Sequence, residues 1–341
     1  MSGRILLGHG GGGTLSQRLI DSELRPLYAD PGAPLHDAAS LALPHGRLAF
    51  STDGYVVHPL EFPGGDIGRL AVVGTCNDLA MAGARPWALS LGLILEEGLE
   101  LAVLRRILAS VAAAAAECGV QVVTGDTKVV ERGKADGAFL TTSGIGLLMA
   151  AEPIGPGRIE AGDQVVVSGD LGRHGMAILM ARHGLDPHPP LLSDCAPLWP
   201  LVEALLAHGV RPHCLRDLTR GGLASALQEL ATEAGVRVRL IEERIPVAPA
   251  VRRGADLLGL DPLHLANEGR LVAVVAPADL EATLAVLEPQ GGAWIGAVER
   301  EEDPPGHGGA ALAGPRLLLR TAFGSERVLS PPAGDLLPRI C

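Results

Sequence analysis

Residues 88–124, ALSLGLILEEGLELAVLRRILASVAAAAAECGVQVVT, decide the fold class of this chain. Two short apolar runs, 88–95 and 120–124, have the length of buried strands. Between them, residues 99–117 repeat apolar side chains at helical spacing, and Gly98 and Gly119 mark the ends of that helix. A helix between two buried strands is typical of a layered α/β fold.

The same alternation continues on both sides of this stretch. Strands are predicted at 48–51, 138–148, 164–167, 236–241 and 271–276, and helices at 67–82, 174–182, 196–208 and 221–234. A dense turn region, EPIGPG at 152–157, indicates a domain boundary. We therefore predict two α/β domains, residues 1–150 and 151–329. Residues 330–341 begin with a Pro/Gly-rich run that continues no helix or strand, which predicts a mobile tail.

Composition excludes several classes of function. The 341 residues suit two domains, and a formal charge of −11 argues against binding nucleic acid or an anionic membrane. No apolar run approaches the ~20 residues of a membrane span, and no secretory segment is visible, so we expect a soluble, cytoplasmic protein. The five cysteines form no Cys-x-x-Cys pair and the eleven histidines no His-x-x-x-His pair. A disulfide framework, a zinc site and a protein-held transition metal are therefore unsupported.

A glycine-rich loop near the N-terminus has two interpretations. GHGGGG at 8–13 fits the G-x-G-x-x-G pattern of dinucleotide-binding loops, and its backbone could approach phosphate oxygens with His9 nearby. Four consecutive glycines fit many patterns, so a flexible loop is the competing interpretation. The chain has no G-K-[ST] and none of the protein-kinase motifs, which excludes a Walker A site and a kinase site. An ATP site would be of another type.

Four segments of the first 130 residues place an aspartate beside Gly, Thr or Asn. They contain Asp53, Asp66, the pair Asn77 and Asp78, and Asp126. We interpret them as strand–loop junctions that project carboxylates into a cleft. Mg²⁺ prefers oxygen ligands and is usually held by one or two carboxylates together with nucleotide phosphates. A single Asp-Gly is ordinary turn chemistry, but four such segments indicate a metal–nucleotide site.

Lys128 follows the last of these segments and stands out by composition. Arginine fills 26 of the 28 basic positions, and Lys134 is the only other lysine. Lys128 is either an ordinary surface residue or a compact ammonium donor at a place where a guanidinium would not fit.

The second half and the terminus add three candidates. Asp217 and Arg220 precede two glycines at a predicted helix start, which suits either phosphate binding or helix capping. Glu268, after Asn267 in a predicted loop, is either a general base or a solvated side chain. Cys341, the last residue, is either incidental or a covalent carrier. The tail that bears it could extend roughly 35 Å.

Together these segments resemble the HypE family of carbamoyl dehydratases, in the ATP-binding superfamily of aminoimidazole ribonucleotide synthetase and selenophosphate synthetase. The terminal PRIC is the most specific element, because it separates this family from the rest of the superfamily. Gly11 is a small departure, since the family more often has Ser or Ala there. The matching segments are HG at 9–10, FSTD at 50–53, FPGG at 62–65, ILEEGL at 94–99, VTGDTKVV at 123–130, SDCA at 193–196, RDLTRGG at 216–222, ANEG at 266–269 and PRIC at 338–341.

The resemblance implies a two-domain aminoimidazole ribonucleotide synthetase-like fold, a homodimer built through the N-terminal domains, and a reaction. A partner, HypF, loads a carbamoyl group onto the Cys341 thiol, and ATP-driven dehydration converts it to a thiocyanate. The cyanide then passes to iron on a HypC–HypD complex, for [NiFe]-hydrogenase. We assign catalysis to Cys341, to Glu268 as base, and to Lys128 as the group that orients the carboxamide or phosphate. ATP binding is assigned to His9, Asp53, Asp66, Asn77, Asp78, Asp126, Asp217, Arg220 and Asn267, with Asp53, Asp78, Asp126 and Asp217 on Mg²⁺.

Three alternatives remain open from the sequence. Another superfamily member could phosphorylate a free amide or small metabolite, in which case deleting Cys341 would leave activity intact. A nucleotide-responsive scaffold for hydrogenase assembly would show no mass change on the tail. An oxidoreductase would bind a dinucleotide through the glycine loop.

Overall fold

The computed structural model describes residues 3–10, 14–27, 46–185, 187–300, 316–330 and 339–341. Of the predicted features, Gly11 and the rest of the glycine run at 11–13, and residues 331–338 of the tail, lie outside this part. The strands are β1 (Leu48–Tyr55), β2 (Glu61–Phe62), β3 (Gly65–Asp66), β4 (Ala84–Glu96), β5 (Gln121–Val130), β6 (Ala138–Leu148), β7 (Gln164–Val167), β8 (Cys214–Asp217), β9 (Arg237–Ile241), β10 (Leu271–Val275), β11 (Ala293–Glu299), β12 (Leu317–Arg320) and β13 (Glu326–Val328). The α-helices are α1 (Thr14–Leu19), α2 (Ile67–Met81), α3 (Leu101–Cys118), α4 (Arg173–Arg182), α5 (Trp199–Ala207), α6 (Gly222–Ala234), α7 (Pro249–Leu258) and α8 (Leu280–Leu287).

The first half forms a four-stranded sheet in the order β1-β6-β4-β5. β6 is antiparallel to both β1 and β4, whereas β4 and β5 are parallel and are joined by α3. Leu104, Ile107, Leu108 and Val111 of α3 are buried at helical spacing, which gives the helix one apolar side for the core. The opposite face of the sheet is more exposed. β1 alternates between exposed and partly buried residues as far as Tyr55.

The second half forms a seven-stranded sheet in the order β13-β12-β9-β11-β7-β10-β8. Its neighbouring strands are antiparallel, except that β12 runs parallel to β9. All five residues of β10 are buried, because helices pack on both faces of this part of the sheet. The two sheets fall within the two predicted domains, whose exact boundaries stay a prediction.

Helix α2 connects the two halves. Thirteen of its residues are buried, and it contacts β1, β4 and β6 of the first sheet and β8 and α5 of the second half. A helix covered on all sides has no need of a polar stripe, which explains its nearly continuous apolar sequence. This helix therefore fixes the position of first-half side chains relative to those of the second half.

The mixed α/β fold is confirmed. Asp66 ends β3 directly before α2, but for the other three aspartate segments the interpretation as strand–loop junctions is wrong. Asp53 lies inside β1, Asp78 inside α2, and Asp126 inside β5, which continues to Val130. The strands extend beyond the apolar runs that predicted them, because backbone pairing continues through polar positions. Asp126, for example, pairs with Gly92. Within the described ranges no helix is long and apolar enough to cross a membrane.

Candidate active site

A cavity of about 510 Å³ lies between the two halves of the chain. Its walls come from β1, α2, the turn at 154–156, β8 and the loop after it, the segment before β10, and the C-terminal residue. The lining residues are Thr52, Asp53, Gly54, Tyr55, Gly74, Asp78, Met81, Ala82, Ile154, Gly155, Pro156, Cys214, Leu215, Arg216, Asp217, Thr219, Arg220, Leu230, Glu268 and Cys341. Six of the predicted site residues meet here: Asp53, Asp78, Asp217, Arg220, Glu268 and Cys341.

Three aspartate carboxyl groups line this cavity. Asp53 comes from β1, Asp78 from α2 and Asp217 from the end of β8. Burial, followed by the charge of Asp78, raises the pKa of Asp217 to about 7. Burial also raises the pKa of Asp78, although Ser51 Oγ donates a 2.7 Å hydrogen bond to Asp78 Oδ2. The carboxylates therefore repel one another, and a cation or a cation-bound phosphate placed among them would relieve that repulsion.

Arg220 and Arg216 provide positive charge in the same cavity. Arg216 also pairs with Glu229 at 2.6 Å, whereas Arg220 lies just before α6. The start of that helix approaches another backbone closely. A Cβ on Gly222 would lie 2.6 Å from the carbonyl oxygens of Leu263 and Leu265, in a backbone with φ +60°. Glycine is therefore required at this turn, which brings Arg220 to the cavity.

Glu268 is a fourth acid of the cavity, and it is deeply buried. Its side chain is only 3% exposed, and Oε1 is buried with no hydrogen-bond partner. Burial raises the pKa of Glu268 well above its usual range, and the charges of Asp217 and Asp194 raise it further. A buried carboxyl group with an unused oxygen is suited to exchange a proton with a molecule that enters the cavity. The predicted loop position is correct, but the solvated alternative is excluded by this burial.

The backbone around Glu268 is held by amide and carboxylate side chains. Asn77 Nδ2 donates to the Glu268 carbonyl at 3.2 Å, and Asp194 Oδ1 accepts from the Glu268 backbone N–H at 3.3 Å. Asn267 Oδ1 accepts from Gly172 N at 2.7 Å, and its Nδ2 donates to two backbone carbonyls. Asn77 and Asn267, both predicted nucleotide ligands, are thus 1% exposed and bonded to the protein backbone. They hold the Glu268 segment in place and do not line the cavity.

Cys341 reaches the cavity from the end of the chain. It is partly buried, and its thiol lies within hydrogen-bonding reach of the Glu268 carboxyl group. Burial raises the pKa of the Cys341 thiol well above its usual range, and the negative charge of Glu268 adds to the effect. Ile340 is 4% exposed and belongs to the same apolar core as α2, α3 and α4. The last three residues are therefore docked in this structure, with the thiol facing the buried acid.

Asp66 does not reach the cavity. It is the N-cap of α2, where Oδ1 accepts hydrogen bonds from Gly68 N at 2.7 Å and Arg69 N at 3.0 Å. These are two of the backbone donors that a helix start leaves without partners. The carboxylate thus has a structural role in this state of the protein.

His9, Asp126 and Lys128 line a different, smaller cavity of about 190 Å³. Lys128 Nζ pairs with Asp126 Oδ2 at 2.8 Å on β5, and a Cβ on Gly10 would lie 2.6 Å from Val129 N, so the N-terminal segment packs directly on this strand. β5 and β1 are the two outer strands of the first sheet. Three strand spacings separate them, roughly 14 Å in all. Within a single protomer, Lys128 therefore does not reach Cys341.

Several functional features escaped the sequence analysis. Ile154, Gly155 and Pro156 line the cavity, although their turn signals suggested only a domain boundary. Arg216 is another lining residue, and His174, inside α4, contacts the tail. Arg216 could have been predicted from the sequence, because it adjoins the candidate residue Asp217. Nothing in the spacing of the sequence marks His174.

Comparisons with known proteins agree over the whole chain. Residues 35–148 match the family "AIR synthase related protein, N-terminal domain", and residues 160–304 match its C-terminal domain. The chain is 48% identical to the carbamoyl dehydratase HypE of Rhodobacter capsulatus, covering 99% of this chain and 98% of that one.

Solved structures give the same result. A crystal structure of the hydrogenase maturation protein HypE in complex with ATP is 46% identical, with a TM-score of 0.91 over 98% of this chain and 99% of that one. The crystal structure of a HypE–HypF complex contains a chain that is 40% identical, with a TM-score of 0.77 over 85% of this chain and 92% of that one.

Proposed function

This chain belongs to the carbamoyl dehydratase HypE family, and on that premise we propose that the group it dehydrates is carried on its own terminal thiol, Cys341. The family activity is an ATP-dependent dehydration in hydrogenase maturation. The observation that carries the proposal is the position of Cys341, which lines the same cavity as Glu268, Arg220 and the aspartates. A metabolite-modifying enzyme of this fold would not need its own C-terminus there.

The reaction converts an S-carboxamide into a thiocyanate. The carboxamide oxygen is a poor leaving group until it carries a phosphoryl group, which ATP supplies as the second substrate. Both protons leave the nitrogen, the C–O bond breaks, and a C≡N bond remains, so the products are thiocyanate, ADP and phosphate. Glu268 lies beside the sulfur that bears the group, and we assign its ionised form to take one proton from the nitrogen, while the second proton leaves with the phosphate. Enclosure of the thiol in the cavity would exclude water that could hydrolyse the phosphorylated intermediate.

We assign the phosphates and their Mg²⁺ to the aspartates and Arg220 of the same cavity. In the described ranges no three His, Cys, Asp or Glu side chains form a ready metal-binding cluster. This fits a Mg²⁺ that takes one or two carboxylates and completes its shell with phosphates and water. Asp53, Asp78 and Asp217 offer those carboxylates, and Arg220 could neutralise phosphate charge. When bound, Mg²⁺ would shield the phosphate charges and so assist transfer of the phosphoryl group.

Loading and unloading of the carrier require the tail to leave the cavity. A thiolate is the reactive form of cysteine, and the docked Cys341 has a raised pKa. The docked thiol is therefore poorly nucleophilic, which favours carbamoylation of an extended tail by a HypF-like partner, the protein with which a relative forms a complex. We propose that the same extended tail delivers the cyanide to an iron-bearing HypC–HypD complex.

Intact-mass analysis of the C-terminal peptide tests this function. The protein is incubated with its carbamoyl-transfer partner, carbamoyl phosphate and Mg²⁺–ATP. We expect Cys341 first to gain one carbamoyl group and then to lose one water. Removing ATP after the loading step should stop the reaction at the carbamoyl adduct. An unmodified tail under conditions in which the partner is active would contradict the proposal.

A homodimer would resolve the separation of Lys128 from Cys341. We propose that the outer face and edges of the first sheet join a second copy, because this surface exposes apolar side chains. Leu48, Phe50 and Met149 are 39%, 70% and 51% exposed at one end of the sheet. In such a dimer, β5 of the partner subunit could bring a lysine ammonium group to the cavity of the first.

Mixed dimers distinguish a lysine that acts across the interface from one that acts within its own chain. Lys128→Ala and Glu268→Gln homodimers should both be nearly inactive. If Lys128 acts across the interface, random mixing restores one complete site in half of the dimers, about a quarter of wild-type activity. If Lys128 acts within its own chain, mixing restores nothing. Co-expressed subunits with different affinity tags provide the mixture, and Lys134→Ala is the matched control, expected to retain activity.

A further inference from the structure

The docked terminus is held by backbone contacts as well as by the cavity. His174 Nε2 lies 2.8 Å from the Ile340 carbonyl oxygen. His58 N donates to the Arg339 carbonyl at 3.2 Å, and the Arg182 guanidinium group donates to the same oxygen. Of these three partners, only His174 is fully buried. Its contact is also made one residue before the thiol, so it has the most direct control over where Cys341 lies.

The His174 ring is oriented by a chain of hydrogen bonds that runs in one direction. A carbonyl oxygen can only accept, so Nε2 must carry the proton that binds Ile340. Burial lowers the pKa of His174 and favours the neutral ring, in which Nδ1 is an acceptor. Ser193 Oγ, 2.8 Å away, then donates to Nδ1 and itself accepts from Cys195 N at 3.1 Å. Each hydrogen bond in this series therefore has a defined donor and a defined acceptor.

The segment that orients His174 also holds Glu268. Asp194, between Ser193 and Cys195, accepts hydrogen bonds from the backbone N–H groups of His174 and Glu268 through the same oxygen, at 3.1 and 3.3 Å. One carboxylate, that of Asp194, thus fixes the backbone of both His174, which donates to the tail, and Glu268, which faces the thiol. A displacement of this segment would move the partner of Ile340 and the partner of Cys341 together.

We propose that His174 is a positioning residue, whose neutral imidazole binds the Ile340 carbonyl and thereby holds the Cys341 thiol against Glu268. The purpose of this contact rests on the proposed carrier role of Cys341. The docking of the tail can be measured without ATP or a carbamoyl donor. The outer contacts contribute less. Arg339 pairs with Asp136 where the side chains are 48% and 30% exposed, and such ion pairs add little stability.

Alkylation of Cys341 measures docking directly. The purified protein is treated with iodoacetamide, and the rate of adduct formation on the C-terminal peptide is followed by mass spectrometry. His174→Ala should speed alkylation of Cys341 about tenfold, in the range expected for loss of one buried hydrogen bond. His174→Gln should stay within about threefold of wild type, because its amide can donate to Ile340 and accept from Ser193. His208→Ala, on the exposed end of α5, is the matched control.

The same spectra separate a local effect from a loosened fold. Cys76, buried in α2, and Cys118, at the end of α3, neither line the cavity nor take part in the hydrogen bonds around His174. A faster reaction confined to Cys341 supports the proposal. Equal acceleration at all three cysteines, or no acceleration at Cys341, would overturn it. If Cys341 docks normally but the protein does not dehydrate its carbamoyl group, the result counts against the proposed function and not against the role of His174.

A second measurement leaves His174 intact. In protein with ¹⁵N-labelled histidine, deletion of residues 339–341 removes the Ile340 acceptor. The Nε2 resonance of His174 should then shift, whereas Nδ1, still bound by Ser193, should change much less. Identical ring resonances with and without the three residues would overturn the proposal.

Discussion

Cys341→Ala is expected to abolish both carbamoylation of the chain and formation of thiocyanate, with no residual turnover. The reason is covalent, because the side chain that bears the group is absent and no other cysteine lies in the C-terminal tail. Cys195 and Cys214 are buried, and burial raises the pKa of both thiols, so neither can replace the terminal one. Mass spectrometry of the whole chain after incubation with the carbamoyl donor system and Mg²⁺–ATP checks this result.

The control for this variant is Cys118→Ala. Cys118, at the end of α3, is partly exposed and lies outside the cavity, so removing it should leave modification of the tail unchanged. Binding of ATP to Cys341→Ala should also stay close to wild type, since the aspartates and Arg220 remain. Catalytic activity that survives in Cys341→Ala would favour an enzyme acting on a free amide.

Glu268→Gln is expected to slow dehydration by about a hundredfold to ten-thousandfold, the usual range for loss of a general base. The carbamoyl group should accumulate on Cys341, because loading does not use Glu268. Glutamine has nearly the same shape as the protonated acid, so it should still lie against the docked tail. Single-turnover conversion of the carbamoylated protein, started by adding Mg²⁺–ATP, measures the effect without interference from the loading step.

The same substitution should stabilise the fold, increasingly so at higher pH. The pKa of Glu268 is raised in the folded protein, so the folded state keeps a proton that the unfolded chain releases above about pH 4.3. Wild-type stability therefore falls as the pH rises from that value towards the folded-state pKa. Glutamine does not titrate, and each unit of the pKa difference corresponds to about 1.4 kcal/mol.

Thermal unfolding at several pH values tests this second effect. The melting temperatures of wild type and Glu268→Gln should nearly coincide at pH 4 and separate by pH 8, with the variant higher. Glu203→Gln, at an exposed position of α5 outside the cavity lining, is the matched control and should show no such separation. A Glu268→Gln variant that dehydrates at the wild-type rate, or that melts below wild type at pH 8, would contradict the assigned role.

The sequence predicted the architecture well where apolar periodicity is strong. The helix predicted at 67–82 is α2, Ile67–Met81, and the strand predicted at 138–148 is β6. β8, β11 and β12 and the helices α7 and α8 were not predicted. The apolar residues that bury them meet partners far away in the chain. Pairing of β12 with β9, for example, depends on tertiary contacts that no local pattern reveals.

The site could be predicted as a set of chemical groups but not as an arrangement. Asp53, Asp78, Asp217, Glu268 and Cys341 were proposed from their residue types and the family resemblance, and they do line one cavity. Asn77 and Asp66 looked similar in sequence, yet their hydrogen bonds go to the backbone. Asp66 caps a helix, Asn77 holds a neighbouring backbone segment, and Asp78 lines the cavity. These roles differ because the side chains point in different directions. Local composition does not encode those directions.

The C-terminus, docked in a cavity of its own chain, also determines the kinetics of the chemical step. A tethered reactant meets its catalyst at an effective concentration set by the length of the connection, whatever the amount of protein in solution. Once the carrier is loaded and ATP is saturating, conversion should be first order, with a half-time that dilution leaves unchanged. Small thiocarbamates in the medium would compete poorly with the tethered group. Each chain therefore processes one molecule per visit of its tail, and supply depends on how often the tail is reloaded.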